Sequence, residues 1–186
     1  MNAGTQDLLV RDAVEADLAV VQSIYAHHVL NGLASFEEEA PSLEVMRIRF
    51  AEVAGRGLPN LVGCIDGAVA GFGYCAPYRA RSAYRYVLED SVYVDARCQR
   101  RGLGRALLAA LIERATALGY RQLIAVIGDS AHLPSIRVHA GAGFLRVGTL
   151  RSVGFKFGRW VDTVIMQRPL GTGDGTKPAK PGSDPK

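Results

Sequence analysis

No stretch of the 186-residue sequence stays apolar long enough to cross a bilayer, and the opening MNAGTQDLL has no basic segment followed by an apolar one. Neither a membrane protein nor an exported one is expected. Cysteine is scarce. Cys64, Cys75 and Cys98 are odd in number and lack close metal-ligand spacing, so reduced thiols in a cytoplasmic protein are expected. There is no internal repeat. The final GTGDGTKPAKPGSDPK holds no large apolar side chain and cannot bury enough surface to offset the entropy of ordering. A disordered tail over 171–186 and a frayed start over 1–6 leave a single domain, 7–170. The net charge of +4 is not spread as a nucleic-acid-binding surface would be; the surplus sits in Arg79–Arg85 and Arg97–Arg105. Clusters of that size suit a small anion better than a long phosphate backbone.

What is present reads as alternating strands and helices. LLVR (8–11) predicts a strand, and Asp12 with Glu15 resembles a capping box before Leu18, Val21, Tyr25 and His28 at helical spacing, closed by Gly32. Residues 34–39 are expected to be extended or loop. Ser42 caps a second helix with Leu43, Met46, Phe50 and Val53 on one face. Two alternating runs then meet at Asp66-Gly67, a strong hairpin signal, and YVLEDSVYV (86–94) is a third strand. A helix over about 103–118 presents Leu107, Leu108, Leu111, Ile112, Ala115 and Leu118, and RQLIAVIG (121–128) carries a continuous apolar run, as a strand buried on both faces does. A short helix over about 134–142, a strand from Phe144 and a last strand near 160–167 complete the domain.

Between the third strand and its helix lies RCQRRGLGRALLAAL (97–111), a basic glycine turn of the kind that holds phosphate on free helix N–H groups. A P-loop would need Lys-Ser/Thr after Gly104, where Arg105-Ala106 stands. A dinucleotide turn would need a third glycine where Leu107 stands, and would open a repeating strand–helix domain rather than follow a hairpin. The stretch Gln99-Arg100-Arg101-Gly102-Leu103-Gly104 fits a third pattern, Q/R-x-x-G-x-G/A.

With VYV (92–94) before it and PSIRVHAGAGF some thirty residues later, this arrangement resembles the GCN5-related N-acetyltransferases over roughly 8–168. CAPYRARSAY, EDSVYV, SIRVHAGAGF and GFKFGRWVD narrow the likeness to the phosphinothricin and methionine sulfoximine acetyltransferases. The resemblance implies an α/β fold with a mixed, mostly antiparallel central sheet, splayed parallel strands at an acetyl-CoA site, and flanking helices. It implies acetyl transfer in a ternary complex to the α-amine of a small amino-acid-like substrate, with acetyl-CoA as cosubstrate, no metal, and a homodimer whose carboxy-terminal strands lie near the interface.

On the same ground, Gln99, Arg100, Arg101, Gly102, Leu103, Gly104 and Arg105 would wrap the pyrophosphate, and Ser135 would meet the pantetheine arm. Backbone groups of Val92, Tyr93 and Val94 would bind the cofactor and stabilise the oxyanion. The family often has Asn where His132 stands, which changes the contacts there. Glu89 matches the family's base; a carboxylate in an apolar strand has its pKa raised towards the working range, though pairing with Arg85 or facing solvent would equally place it there. Asp90 alternates to the other face. His139 matches the histidine near the reacting centre, sharing the base role or donating to the departing sulfur, or it is simply a core histidine. Arg81 and Tyr84 are expected at the substrate's anionic end and Phe36 over the substrate, with Arg79 and Arg85 read as solvated loop charges. Lys156 and Trp160 are pocket or dimer candidates, while His27 and His28 carry no assigned role. An acetyltransferase for protein N-termini or polyamines, or a non-catalytic acyl-CoA sensor, are the alternatives; the basic loop at 79–85 disfavours polyamines.

Overall fold

The computed structural model describes residues 7–179, so the expected frayed start at 1–6 and the end of the tail, 180–186, lie outside the described residues. Seven strands form one sheet: β1 (Leu8–Asp12), β2 (Asn60–Ile65), β3 (Ala68–Pro77), β4 (Val87–Val94), β5 (Gln122–Gly128), β6 (Leu145–Lys156) and β7 (Arg159–Pro169). Their spatial order is β1-β2-β3-β4-β5-β7-β6. Every pairing is antiparallel except β4 with β5. The helices are α1 (Leu18–Asn31), α2 (Leu43–Gly55), α3 (Leu103–Ala117) and α4 (Leu133–Gly141). This is the mixed α/β architecture that the resemblance implies. Among the described residues no helix is long and apolar enough to cross a membrane.

Period-two alternation along the central strands sorts side chains onto two faces. Leu61, Cys75, Leu88, Leu123, Ala125 and Ile127 join Leu103, Leu107, Leu108 and Leu111 of α3 in one core, to which Ile136 and Val138 of α4 add. Val62, Cys64 and Phe72 join Val21, Ile24, Tyr25 and Val29 of α1 and Met46 of α2 in the other. The alternation therefore decides which residues of β4 face α3 and α4 (Leu88, Asp90, Val92, Val94) and which face α1 and α2 (Glu89, Ser91, Tyr93).

One local expectation is corrected. Helix entry at α1 is not made by Asp12 and Glu15. Asp12 ends β1, and a 3-10 turn, Glu15–Asp17, leads into α1; Asp17 closes that turn, its carboxylate accepting from the Val14 N–H at 2.9 Å and from the Arg11 guanidinium at 2.7 and 2.8 Å. After β7, Gly173 donates its N–H to the Leu170 carbonyl, and the Arg121 guanidinium reaches Thr172, Gly173, Thr176 and Lys177. One arginine gives this apolar-poor stretch the partner its own composition lacks.

Candidate active site

β4 and β5 pair only from Val87↔Gln122 to Asp90↔Ala125. Beyond that point Ser91–Val94 pair with β3 alone and Val126–Gly128 with β7 alone. The sheet thus forks at Asp90, and each strand turns unpaired backbone groups into the opening, because a strand with one neighbour has a free edge. Val126, just past the last pairing, is 39% exposed in a strand otherwise largely buried. At the end of β4 the Val94 carbonyl accepts from His28 Nε2 at 2.8 Å, tying α1 to the fork. Burial lowers the pKa of His28, so its neutral ring serves as a structural donor rather than a base.

The chain leaves the fork through the basic turn. Arg100 and Gly102 have φ of 59° and 85°, and α3 begins at Leu103. The first N–H groups of α3 have no carbonyl one turn earlier and face outward with the positive end of the helix dipole. Leu103 turns its side chain into the core, leaving only its backbone for a ligand. Gln99, Arg100, Arg101 and Arg105 are exposed around this end. Arg101 pairs with Asp66 at 3.4 Å, and Arg97 is held by Asp95 at 2.6 Å.

On the α1/α2 face, Glu89 is half-buried. Burial raises its pKa, the charge of Asp90 raises it further, and Arg79 opposes both. Arg79 is an exposed loop charge, as read from the sequence, with its guanidinium over the Tyr78 ring, and acts on the candidate base through its charge alone. Arg81 and Tyr84 lie exposed on the loop before β4, with Tyr84 edge-on to Tyr78 at 5.8 Å. Phe36 is 40% exposed on the loop between α1 and α2, over Gly154. Behind that loop runs a closed polar ring: the Glu37 N–H donates to Ser35 Oγ, Ser35 bonds Tyr25 Oη at 2.9 Å, and Tyr25 donates to the Glu37 carboxylate at 3.0 Å. Arg49 donates to the same carboxylate at 2.8 Å. Sequence spacing gave no sign of this ring, because its members come from α1, α2 and the loop between them.

On the opposite face, His139 of α4 is buried and bonds Asp90 Oδ2 through Nε2 at 3.0 Å and the Ser135 carbonyl through Nδ1 at 2.8 Å. A carbonyl only accepts, so Nδ1 carries a proton, and a second proton is shared between Nε2 and Asp90. Burial alone would lower the ring's pKa; the hydrogen bond and charge of Asp90 outweigh it and hold the pKa above the ordinary value. The fold therefore does not bring Glu89 and His139 together. It separates them across β4 and gives Asp90, the weaker candidate in the sequence, to His139. Asp90 Oδ1 is buried at the fork without a hydrogen-bond partner. Ser135 lies one helical turn before His139, and His132 is exposed at the start of α4.

The profile of the Acetyltransferase (GNAT) family matches residues 22–144. A phosphinothricin N-acetyltransferase from Alcaligenes faecalis is 52% identical over 169 residues, covering 91% of this chain and 86% of its own. An L-methionine sulfoximine/L-methionine sulfone acetyltransferase from Salmonella typhimurium is 35% identical, covering 88% and 95% respectively. A solved phosphinothricin acetyltransferase from Sinorhizobium meliloti, in complex with AcCoA, superposes with a TM-score of 0.90 at 47% identity, over 93% of this chain and 94% of that one.

Proposed function

The chain belongs to the acetyltransferase (GNAT) family, and on that premise we propose that it transfers an acetyl group from acetyl-CoA to the α-amine of a small amino-acid-like acceptor of the phosphinothricin, methionine sulfoximine or methionine sulfone type. The observation that carries the reading is the fork at Asp90: an opening between parallel strands, a phosphate-type turn where β4 leads into α3, and a half-buried carboxylate of raised pKa on the other side of the strand.

The residues present fit the cosubstrate. The α3 amino terminus with exposed Arg100 and Arg105 suits a pyrophosphate, the free strand edges suit an amide-bearing arm, and the orphaned Asp90 Oδ1 is an acceptor for an N–H at the fork. Bound acetyl-CoA supplies an activated thioester; the protein must hold it, deliver a neutral amine and return a proton. The α-amine of a free amino acid is more basic than a peptide amino terminus and arrives protonated near neutral pH. Glu89 takes that proton, directly or through water, and Arg79 restrains how far its pKa rises. Arg81, Tyr84 and Phe36 border the acceptor, an arginine being suited to a carboxylate or phosphinate. His139 gives the departing sulfur the proton it shares with Asp90 on the cosubstrate face as the C–S bond breaks, and the second proton lost by the attacking nitrogen on becoming an amide makes good that loss.

The free thiols at Cys64, Cys75 and Cys98 fit a cytoplasmic setting. The β6–β7 hairpin exposes Leu145, Val147, Val153, Phe155, Phe157 and Trp160, each more than half accessible, and a second copy of the chain is the occupant proposed for that face. The test of the reaction is thiol release from acetyl-CoA against phosphinothricin, methionine sulfoximine, methionine sulfone, the common amino acids and spermidine. Release with the first three and none with spermidine is expected. Background release with every amine would overturn the assignment.

A further inference from the structure

Lys156 closes β6 and is only 2% exposed. Among the described residues no carboxylate forms an ion pair with it, although the charges of Glu38 and Glu37 lie near enough to favour its charged form. Its ammonium donates to the carbonyls of Val29 at 2.7 Å, Gly32 at 2.9 Å and Ser35 at 2.7 Å. Three acceptors engage all three N–H bonds, which only the charged form possesses. Val29 lies in the last turn of α1 and Gly32 ends the helix, so a cation sits where the dipole is negative. The third acceptor belongs to the loop that leads to Phe36. On its other side the Lys156 ammonium lies 5.0 Å from the ring of Phe157.

The same loop is seated on glycines. A Cβ on Gly154 would come within 2.2 Å of the Phe36 ring, and one on Gly128 within 2.1 Å of the Leu33 carbonyl oxygen. Its far end is fastened by the Tyr25–Glu37–Arg49 ring. The loop is thus pinned at two places, and the pin at the hairpin is a single buried charge.

We infer that Lys156 is a positioning residue for the acceptor: it fixes the α1–α2 loop, and with it Phe36, against the β6–β7 hairpin, setting acceptor affinity without touching acceptor or cosubstrate. This rests on the acceptor site proposed above. Lys156→Met keeps an unbranched apolar chain and removes the three donors. The expected result is a rise of about tenfold or more in KM for the best acceptor, the scale of losing hydrogen bonds to a charged group. The acetyl-CoA Kd stays within a factor of about two, and amide exchange accelerates over residues 32–37 and not in α3. If KM for the acceptor and Kd for acetyl-CoA rise together, or loop exchange is unchanged, the inference is overturned. Should Lys156→Met not fold, Gly154→Ala, which crowds Phe36 while leaving the ammonium in place, must give the same split, and its absence overturns the inference equally. The exchange measurement needs no acceptor, so a silent acceptor panel would remove the proposed reaction while leaving this coupling standing.

Discussion

Adjacent carboxylates on β4 meet opposite fates because a strand sends successive side chains to opposite faces. Glu89 goes to the α1/α2 face, proposed as the acceptor side, where burial and the neighbouring Asp90 charge raise its pKa. Glu89→Gln should lower kcat about 10²–10⁴-fold, the usual contribution of a general base, with the acetyl-CoA Kd unchanged. The sign of the pH dependence follows from the direction of the shift. A base works deprotonated, so in the wild-type enzyme kcat/KM should fall on the acid side, through an apparent pKa above the ordinary glutamate range. Arg79→Ala removes the charge that holds this pKa down and should move the acid limb to higher pH. Steady-state rates across the pH range check both, and an unmoved limb in Arg79→Ala would exclude its influence on the base.

Between elements, small side chains and one buried pair do the joining. Gly63, Gly71 and Gly73 offer bare backbone to Leu103, Leu107 and Leu111 of α3, and a Cβ on Gly71 would sit 2.9 Å from the Tyr93 carbonyl oxygen. Gly71→Ala should therefore cost about 1–3 kcal/mol in a denaturant titration, as overpacked cores do. The Asp90–His139 bond couples β4 to α4. Because the folded pKa of His139 is raised, its contribution to stability is fully present below the unfolded value and lost as pH rises through the folded one. The stability advantage of the wild type over Asp90→Asn should accordingly shrink as pH rises above the ordinary histidine range. A difference in Tm that is independent of pH would mean that the proton is not held by this pair.

At the scale of the whole molecule, β6 and β7 form an antiparallel arm whose register shifts between Leu150 and Gly154. Its exposed Phe155 and Trp160, paired across the hairpin with rings 5.3 Å apart, alternate with the buried Lys156, so the face proposed to meet a second copy is the reverse of the one that holds the α1–α2 loop. Trp160→Lys with Phe155→Lys should convert a dimer to a monomer in sedimentation equilibrium, and weaker acceptor binding should accompany it. A doubly substituted protein that sediments as the wild type does would remove the hairpin from the interface.

The order of strands and helices, the hairpin at Asp66-Gly67, the helix after the glycine turn and the split of Glu89 from Asp90 are all legible in the sequence, since each rests on local periodicity or on turn chemistry. The family likeness rests on local motifs too, which is why it could be read before any contact was known. What only the tertiary structure decided depends on groups distant along the chain. His139 finds Asp90 across 49 positions, and the Lys156 ammonium finds the Ser35 carbonyl across 121. The partners that surround a charge, rather than the charge itself, determine whether it is a base, a proton store or a pin. A lysine in GFKFGRW has no local pattern that announces three carbonyls waiting at the end of a helix. Those carbonyls are left over because the last turn of a helix cannot bond them itself, and only folding brings the ammonium to them.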